Sequence, residues 1–355
     1  MASSDARRFD RRADGMLGRQ PGPFPAVTRC GVHVDLSRPL RPVPAPSLRP
    51  WAGRRLGEGV GEVWVAGPAS AVTLPDGRSM PLDELAAEAG VALVGTAGTG
   101  LPAHRFPLLA KLIDAADWLS LQVHPDDQLA RRLHGADAVG KDEAWVALEA
   151  EPDTRLVTGP ARRLEPAGVR ALVASGTMDL DMCELYVPEP GQALYVAAGT
   201  IHAIGPGTFI YELEQPSDLT YRISDWGRPA TLGRHLHLDE AQQAVVGSQR
   251  AGLVGTGWTL DGGALNTRHL RLEVVTARPD DVGGRGASRT PAGRSPEIVT
   301  AFGGTLTLSG EGWTESVAPL ETAVVPAACA SYRIACDADA VALVGSLPVS
   351  PTLPR

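Results

Sequence analysis

Short runs of alternating apolar and polar residues, broken by clusters of Gly, Pro and Asp, recur along most of the chain. Alternation with a period of two predicts half-buried strands. On that basis strands are expected at Phe106–Asp114, Trp118–Val123, Ala144–Leu148, 183–187, 193–196, 208–214 and 220–223. A later series is expected at His269–Thr276, Glu297–Phe302, Thr305–Ser309, Ala323–Val325 and Ser331–Ala335. Helical signals are few and short. Pro81 opens one through Ala87 that Gly90 closes, and Asp126 or Asp127 caps another through Leu133 that stops at Gly135. Pro166–Ser175 ends at Gly176, and Asp239–Val246 is a fourth short helix near the rim. The pattern therefore predicts a mainly β protein with a few short helices.

The same pattern divides the chain. Residues 1–26 mix Arg, Asp, Gly and Pro without apolar periodicity, which predicts a flexible tail. Residues 27–250 form a first β domain, with the Pro-rich stretch 36–50 extended and wrapping onto its barrel. The Gly-rich stretch 247–264 is expected to be a boundary, and 265–345 a second, smaller barrel or sandwich. Inside that second unit, GGRGASRTPAGR at 283–294 is expected to be a mobile loop; a sharper reading has its three arginines meeting a phosphate.

One stretch carries chemistry. In LSLQVHPDD, Gln122 and His124 are two apart in a strand-like run, so both point to one face together with Ser120. Glu143 follows after the helical excursion, and His202 arrives from a separate strand end in GTIHAIGPG. Two imidazoles, a carboxylate and an amide oxygen make a nitrogen and oxygen site suited to zinc or a similar divalent ion. Lys141 is two residues before Glu143 and shares its face. His134, His235 and His237 are expected to be packed or solvated instead, as are most of the tryptophans.

Composition changes the picture in two places. Of 33 basic residues, 31 are Arg and only Lys111 and Lys141 are Lys. In such a background a lysine is expected where a compact, titratable ammonium is needed. A net charge of −8 argues against a nucleic-acid partner. The four cysteines (Cys30, Cys183, Cys329 and Cys336) have no Cys-x-x-Cys spacing and fit reduced thiols in a cytoplasmic, soluble protein. No apolar run approaches a membrane span. The Gly-rich runs at 57–61 and 95–100 lack both the dinucleotide spacing and the Gly-Lys-Ser/Thr ending, so plain turns are expected.

The spacing Gly191, five residues, Ala197-Ala198-Gly199, two residues, His202 is similar to the second cupin motif, with Ala197 in place of proline. LSLQVHPDD, GKDEAW, AAGTIHAIGPGT and QPSDLTYRISDWGR together resemble type I phosphomannose isomerases in their shorter bacterial form. PWAGRRL at Pro50–Leu56, GEVW at Gly61–Trp64 and LHLDEA at Leu236–Ala241 agree, so the resemblance covers residues 48–345. Ala197, and Pro216 in QPSD, are departures that touch loop geometry and leave the proposed ligands in place.

The resemblance implies two cupin-like β-barrel (jelly-roll) domains, a catalytic one over 27–250 and a metal-free one over 265–345. It implies an aldose–ketose isomerase interconverting mannose 6-phosphate and fructose 6-phosphate through an enediolate, with one Zn2+ held by Gln122, His124, Glu143 and His202. Arg222 matches the family's active-site arginine, Lys141 or Glu212 is the proton-transfer base, and Ser120, Lys141 and Arg222 face the substrate. Asp218 and Asp225 are expected to hold Arg222 or its turn. The expected partner is a small sugar phosphate, with no nucleic acid or membrane, and the expected state a monomer or homodimer. Two alternatives stay open: an isomerase of another sugar or sugar phosphate, and a metal-holding cupin that binds a sugar phosphate without turnover. A cupin oxygenase fits less well, since Gln122 stands where a histidine would be.

Overall fold

The computed structural model describes residues 34–348 except 75–76, 102–104, 163–164, 230–232, 247–248, 261–262, 277–286, 292 and 338. The expected tail at 1–26 and Cys30 lie outside the described residues, as does most of the turn expected at 75–77.

The molecule is mainly β, and its strands pair antiparallel throughout the described sheets. An eight-stranded sheet runs in the order Ala45–Leu48, Val60–Ala66, Leu109–Ala115, Thr208–Glu214, Glu143–Ala150, Ala193–Val196, Gly252–Thr256, Thr259–Leu260. A three-stranded sheet (Ala203–Ile204, Leu156–Pro160, Cys183–Tyr186) and a two-stranded one (Leu121–Val123 with Tyr221–Ser224) stand beside it. The last part of the chain builds a five-stranded sheet, in the order Leu265–Asn266, Arg271–Val275, Val341–Ser346, Glu297–Phe302, Thr322–Val325, and a four-stranded one. In the latter, Ala287–Arg289, Tyr332–Cys336, Leu306–Gly310 and Trp313–Val317 are neighbours in that order. Helices are short, the longest being Pro166–Ser175, and no described helix is long and apolar enough to cross a membrane.

Period-two alternation sorts the large sheet's side chains onto two faces. Leu112, Ala144, Val146, Tyr211 and Leu213 go to one face, where they share a core with Leu272, Ile298, Val324 and Leu343 of the five-stranded sheet. The opposite face carries Ile113, Trp145, Leu194 and Ile210 in a separate apolar cluster. Burying a Val, Leu or Ile side chain is worth about 1.5–3 kcal/mol, so the shared core binds the two halves of the chain strongly.

Three expectations change. The Pro-rich stretch does not wrap onto the first unit alone: Leu40 bonds with Val324 of the C-terminal sheet in both directions (2.8 and 2.9 Å), and only then does Ala45–Leu48 pair with Val60–Ala66. The Gly-rich boundary holds the two outer strands of the large sheet, because its alternating Leu253 and Gly255 match the edge at Ala193–Val196. The expected loop at 283–294 holds the strand Ala287–Arg289, pinned by pairing with Tyr332–Cys336 and by Arg289 on Glu273 and Glu297. That arginine is paired with carboxylates, not free for a phosphate. Residues 283–286 lie outside the described set.

Candidate metal centre

The eight-stranded sheet sets a row of charged side chains side by side. Antiparallel register places Glu212 opposite both Lys111 and Trp145, Glu214 opposite Glu143, and Trp64 opposite Lys111. By alternation these residues share the face that holds Ile113 and Ile210, so the row is buried at one end of an apolar wall. Gln122 and His202 join from outside the sheet through a reciprocal backbone bridge, at 3.0 and 2.9 Å. His124 is three residues before the helix Asp127–His134, whose cap is Asp126, its side chain accepting from Leu129 N at 2.7 Å. Glycine is required where these segments meet. A Cβ on Gly140 would lie 2.5 Å from Asp127 N, and Gly199 has φ 88° with its Cβ direction blocked by Val246.

His124, Glu143 and His202 converge, all three essentially fully buried. Each imidazole has Nδ1 against a backbone carbonyl, His124 on Leu219 O at 2.7 Å and His202 on Thr200 O at 2.9 Å. A carbonyl only accepts, so Nδ1 carries the proton and Nε2 presents its lone pair inward. Burial and then Lys141 push the His124 imidazole down to about 3, and burial lowers His202 as well. Both rings are therefore neutral at ordinary pH. His124 Nε2 nevertheless lies 2.8 Å from Glu143 Oε1, and His202 Nε2 lies 3.7 Å from Glu143 Oε2. Two acceptors face each other at 2.8 Å with no proton of their own between them, while Lys141 Nζ reaches the same nitrogen only at 3.4 Å. A cation resolves that contact, and the donor set fits a divalent ion.

Gln122 takes part less directly. Its amide nitrogen lies 3.1 Å from His202 Nε2, and its oxygen accepts from Ser120 Oγ at 3.0 Å. A half-turn of the amide exchanges the two groups within the same volume and would present the oxygen inward. Ser120 thus orients Gln122.

Around the ligands lies a buried charge cluster. Lys141 Nζ sits 2.5 Å from Glu143 Oε1 and 2.8 Å from Glu214 Oε2; Lys111 Nζ sits 2.7 Å from Glu214 Oε1 and 3.3 Å from Glu212 Oε2. Burial works against the charge on both lysines, but Glu143 and Glu214 hold Lys141 above its ordinary value, and Glu214 and Glu212 hold Lys111 well above. Burial likewise opposes the Glu143 carboxylate, yet the Lys141 ammonium holds it well below the usual range. Glu214 goes the other way: burial, reinforced by Glu212 and Glu143, outweighs the two lysines and pushes it well up. Its oxygens are close to both ammoniums but lack an aligned hydrogen-bond donor, so the contact is ionic. Trp145 Nε1 donates to Glu143 Oε2 at 3.1 Å and to Glu212 Oε1 at 3.0 Å, fixing both carboxylates.

Arg222 is on the strand Tyr221–Ser224, directly opposite Gln122. Among the described residues no carboxylate forms an ion pair with it, and its buried Nε has no partner. Asp225 instead clamps Arg228 and Arg234, at 3.2 and 2.8 Å, and so holds the turn. His134 bonds Tyr221 Oη at 2.8 Å and His237 accepts from Arg222 N at 3.2 Å, and neither joins the His124, Glu143 and His202 group. The sequence missed Glu214 and the polar role of Trp145. Both lie on predicted strands at even spacing from Glu212 and Glu143, which was the available signal; for Lys111 it was the rarity of lysine.

Residues 55–144 match the phosphomannose isomerase type I catalytic domain. The chain is 35% identical over 206 residues to a mannose-6-phosphate isomerase of Streptococcus mutans, covering 54% of this chain and 62% of that one. It thus spans less than two thirds of that relative's length. The mannose 6-phosphate isomerase crystal structure from Bacillus subtilis superposes with a TM-score of 0.71 at 24% identity, covering 86% of this chain and 99% of that one. A zinc-bound mannose 6-phosphate isomerase shares the fold at a TM-score of 0.65 and 15% identity, over 86% of this chain and 98% of its own.

Proposed function

We propose that this chain, a member of the type I phosphomannose isomerase family, interconverts mannose 6-phosphate and fructose 6-phosphate through an enediolate. The observation that carries the reading is the buried contact of neutral His124 with the Glu143 carboxylate, two acceptors that a cation between them would reconcile. His124, Glu143 and His202, with Gln122 turning its amide oxygen inward, would hold one Zn2+. When bound, the ion supplies a Lewis acid and a template for the two reacting sugar oxygens.

The protein's own residues divide the remaining work. The Glu212 carboxylate is assigned the base: it takes the proton from C2 of the aldose and returns it to C1, while O2 loses a proton and O1 gains one. Lys141 is a poorer base, because Glu143 and Glu214 keep it protonated. Its ammonium and the unpaired Arg222 guanidinium would stabilise the negative charge that develops on the enediolate oxygens. Ser120 acts by orienting Gln122. The two β units, 27–250 and 265–345, are read as cupin-like barrels (jelly rolls), the second without metal. The wider reading is a cytoplasmic monomer or homodimer that acts on a small sugar phosphate and on no nucleic acid.

An isomerase of another sugar phosphate would keep the same centre. A non-catalytic sensor is disfavoured, since binding alone does not call for two buried lysines beside Glu212. The test is turnover of mannose 6-phosphate by purified protein, before and after chelation and with zinc restored. Loss and recovery of the rate support the reading; absence of turnover in zinc-loaded protein sinks it.

A further inference from the structure

We propose that His269, delivered by the C-terminal part of the chain, is a positioning residue for the metal centre and acts through Asp142 and Asp127. The proposal rests on the metal-site reading above and concerns how that site is held in shape.

Asp142 lies between Lys141 and Glu143, and strand alternation turns its side chain away from them. It is 6% exposed and gathers several segments. Its Oδ1 accepts from Ala198 N at 2.8 Å; its Oδ2 accepts from Tyr195 Oη and from His269 Nδ1, each at 2.8 Å. Its backbone N–H donates to Gln215 Oε1 at 3.0 Å, and its carbonyl accepts from Gln215 N at 3.1 Å. Asp127 makes the matching half. Its Oδ1 accepts from Gly140 N at 2.8 Å and Gln215 Nε2 at 3.2 Å, and its Oδ2 lies 3.5 Å from His269 Nε2.

Every ligand-bearing segment ends on this node. Asp127 opens the helix just after His124. Asp142 is bonded to Glu143. Ala198 precedes Gly199, whose N–H donates to His124 O at 2.9 Å, on the way to His202. Gln215 follows Glu214. His269 itself sits in the hairpin between Leu265–Asn266 and Arg271–Val275, where the apolar alternation gives no hint of a site. Both its ring nitrogens face carboxylates, so it must be doubly protonated to donate to each. The two aspartates hold it in that form, pushing it up to about 9 against the effect of burial. Without the imidazolium, two carboxylates would face each other across the 140–143 segment, and repulsion would displace Glu143 and Lys141 from His124.

The test titrates zinc into apo full-length protein by chelator competition, and follows mannose 6-phosphate kinetics at saturating zinc. His269→Gln is expected to weaken zinc binding about 10–100-fold, as loss of an outer partner of metal ligands does, and to lower kcat with KM little changed. His269→Arg, which keeps a cation with several donors, is expected to recover most of the affinity. Arg271→Gln, a charge removed from the same hairpin without contact to Asp142, is the control and should leave zinc affinity unchanged. Zinc affinity of His269→Gln within twofold of wild type, or an equal loss in Arg271→Gln, would overturn the proposal while leaving the isomerase reading intact. Wild-type protein that binds zinc without isomerising would sink the isomerase reading and still leave the zinc comparison to decide this one. Wild-type protein that binds no zinc overturns both.

Discussion

In the C-terminal half, Arg289 donates to Glu297 from Nε at 2.9 Å and from Nη2 at 2.7 Å, and to Glu273 at 2.6 Å, while the Tyr332 hydroxyl also donates to Glu297. In the N-terminal half, Lys111 and Lys141 lie among Glu143, Glu212 and Glu214, with two histidine lone pairs turned inward. Both clusters are ionic, the first half-buried and the second fully buried, but the first is closed. A planar guanidinium matches carboxylates in a fork, so in the first cluster the donors are spent within the protein. An ammonium is a point charge with no fixed fork, and the second cluster keeps the unaligned oxygens of Glu214 beside two inward imidazole lone pairs. Buried charge by itself is therefore no sign of a site; acceptors left over after internal pairing are.

Substitutions can break or sharpen that contrast. His202→Ala should abolish stoichiometric zinc and lower kcat/KM by roughly 10³–10⁵-fold, the several kcal/mol expected of a Lewis acid; metal analysis beside steady-state kinetics checks this, and retained zinc would remove His202 from the ligand set. Glu212→Gln should keep zinc and substrate affinity while kcat falls by about 10²–10⁴-fold; a loss confined to KM would argue against its role as base. Arg289→Gln should do the reverse, leaving kcat and zinc content alone while costing about 3–5 kcal/mol of stability in denaturant unfolding, since Glu297 is left buried with its cation gone.

The smallest effect concerns pH. His269 is raised from 6.5 to about 9, facing Asp127 and Asp142, with the Tyr195 hydroxyl and Thr267 beside it. A raised folded value means that its stabilisation is fully present below about 6.5 and is lost as pH rises through about 9. Wild-type Tm should thus fall between pH 7 and about 10, and His269→Gln should start lower and show a flatter decline. Equal slopes in thermal melts of the two proteins would remove His269 from that pH dependence.

Strands bounded by clear turn residues were easy to find in the sequence. Glu297–Phe302, Ala193–Val196 and the helix Pro166–Ser175 sit where alternation, turn residues and caps place them. Val341–Ser346 escaped because it is central in the five-stranded sheet and buried at every position, which erases the period. Leu156–Pro160 escaped for the same reason, with Gly159 and Pro160 adding turn signals inside a strand. His124, Glu143 and His202 were legible as a group because their local motifs are dense. Asp142 and His269 were not: they are 127 residues apart, and only the packing of the C-terminal hairpin against the 140–143 segment makes them neighbours.

The scarcity of lysine has a practical consequence. Both lysines of the chain are 3% exposed, so a lysine-directed acylating reagent finds no target on the folded surface. Unfolding uncovers two. The mass added at the lysines by brief acylation at rising denaturant would therefore count open molecules, and a substrate or metal that seals the centre would slow the labelling of those same two amines.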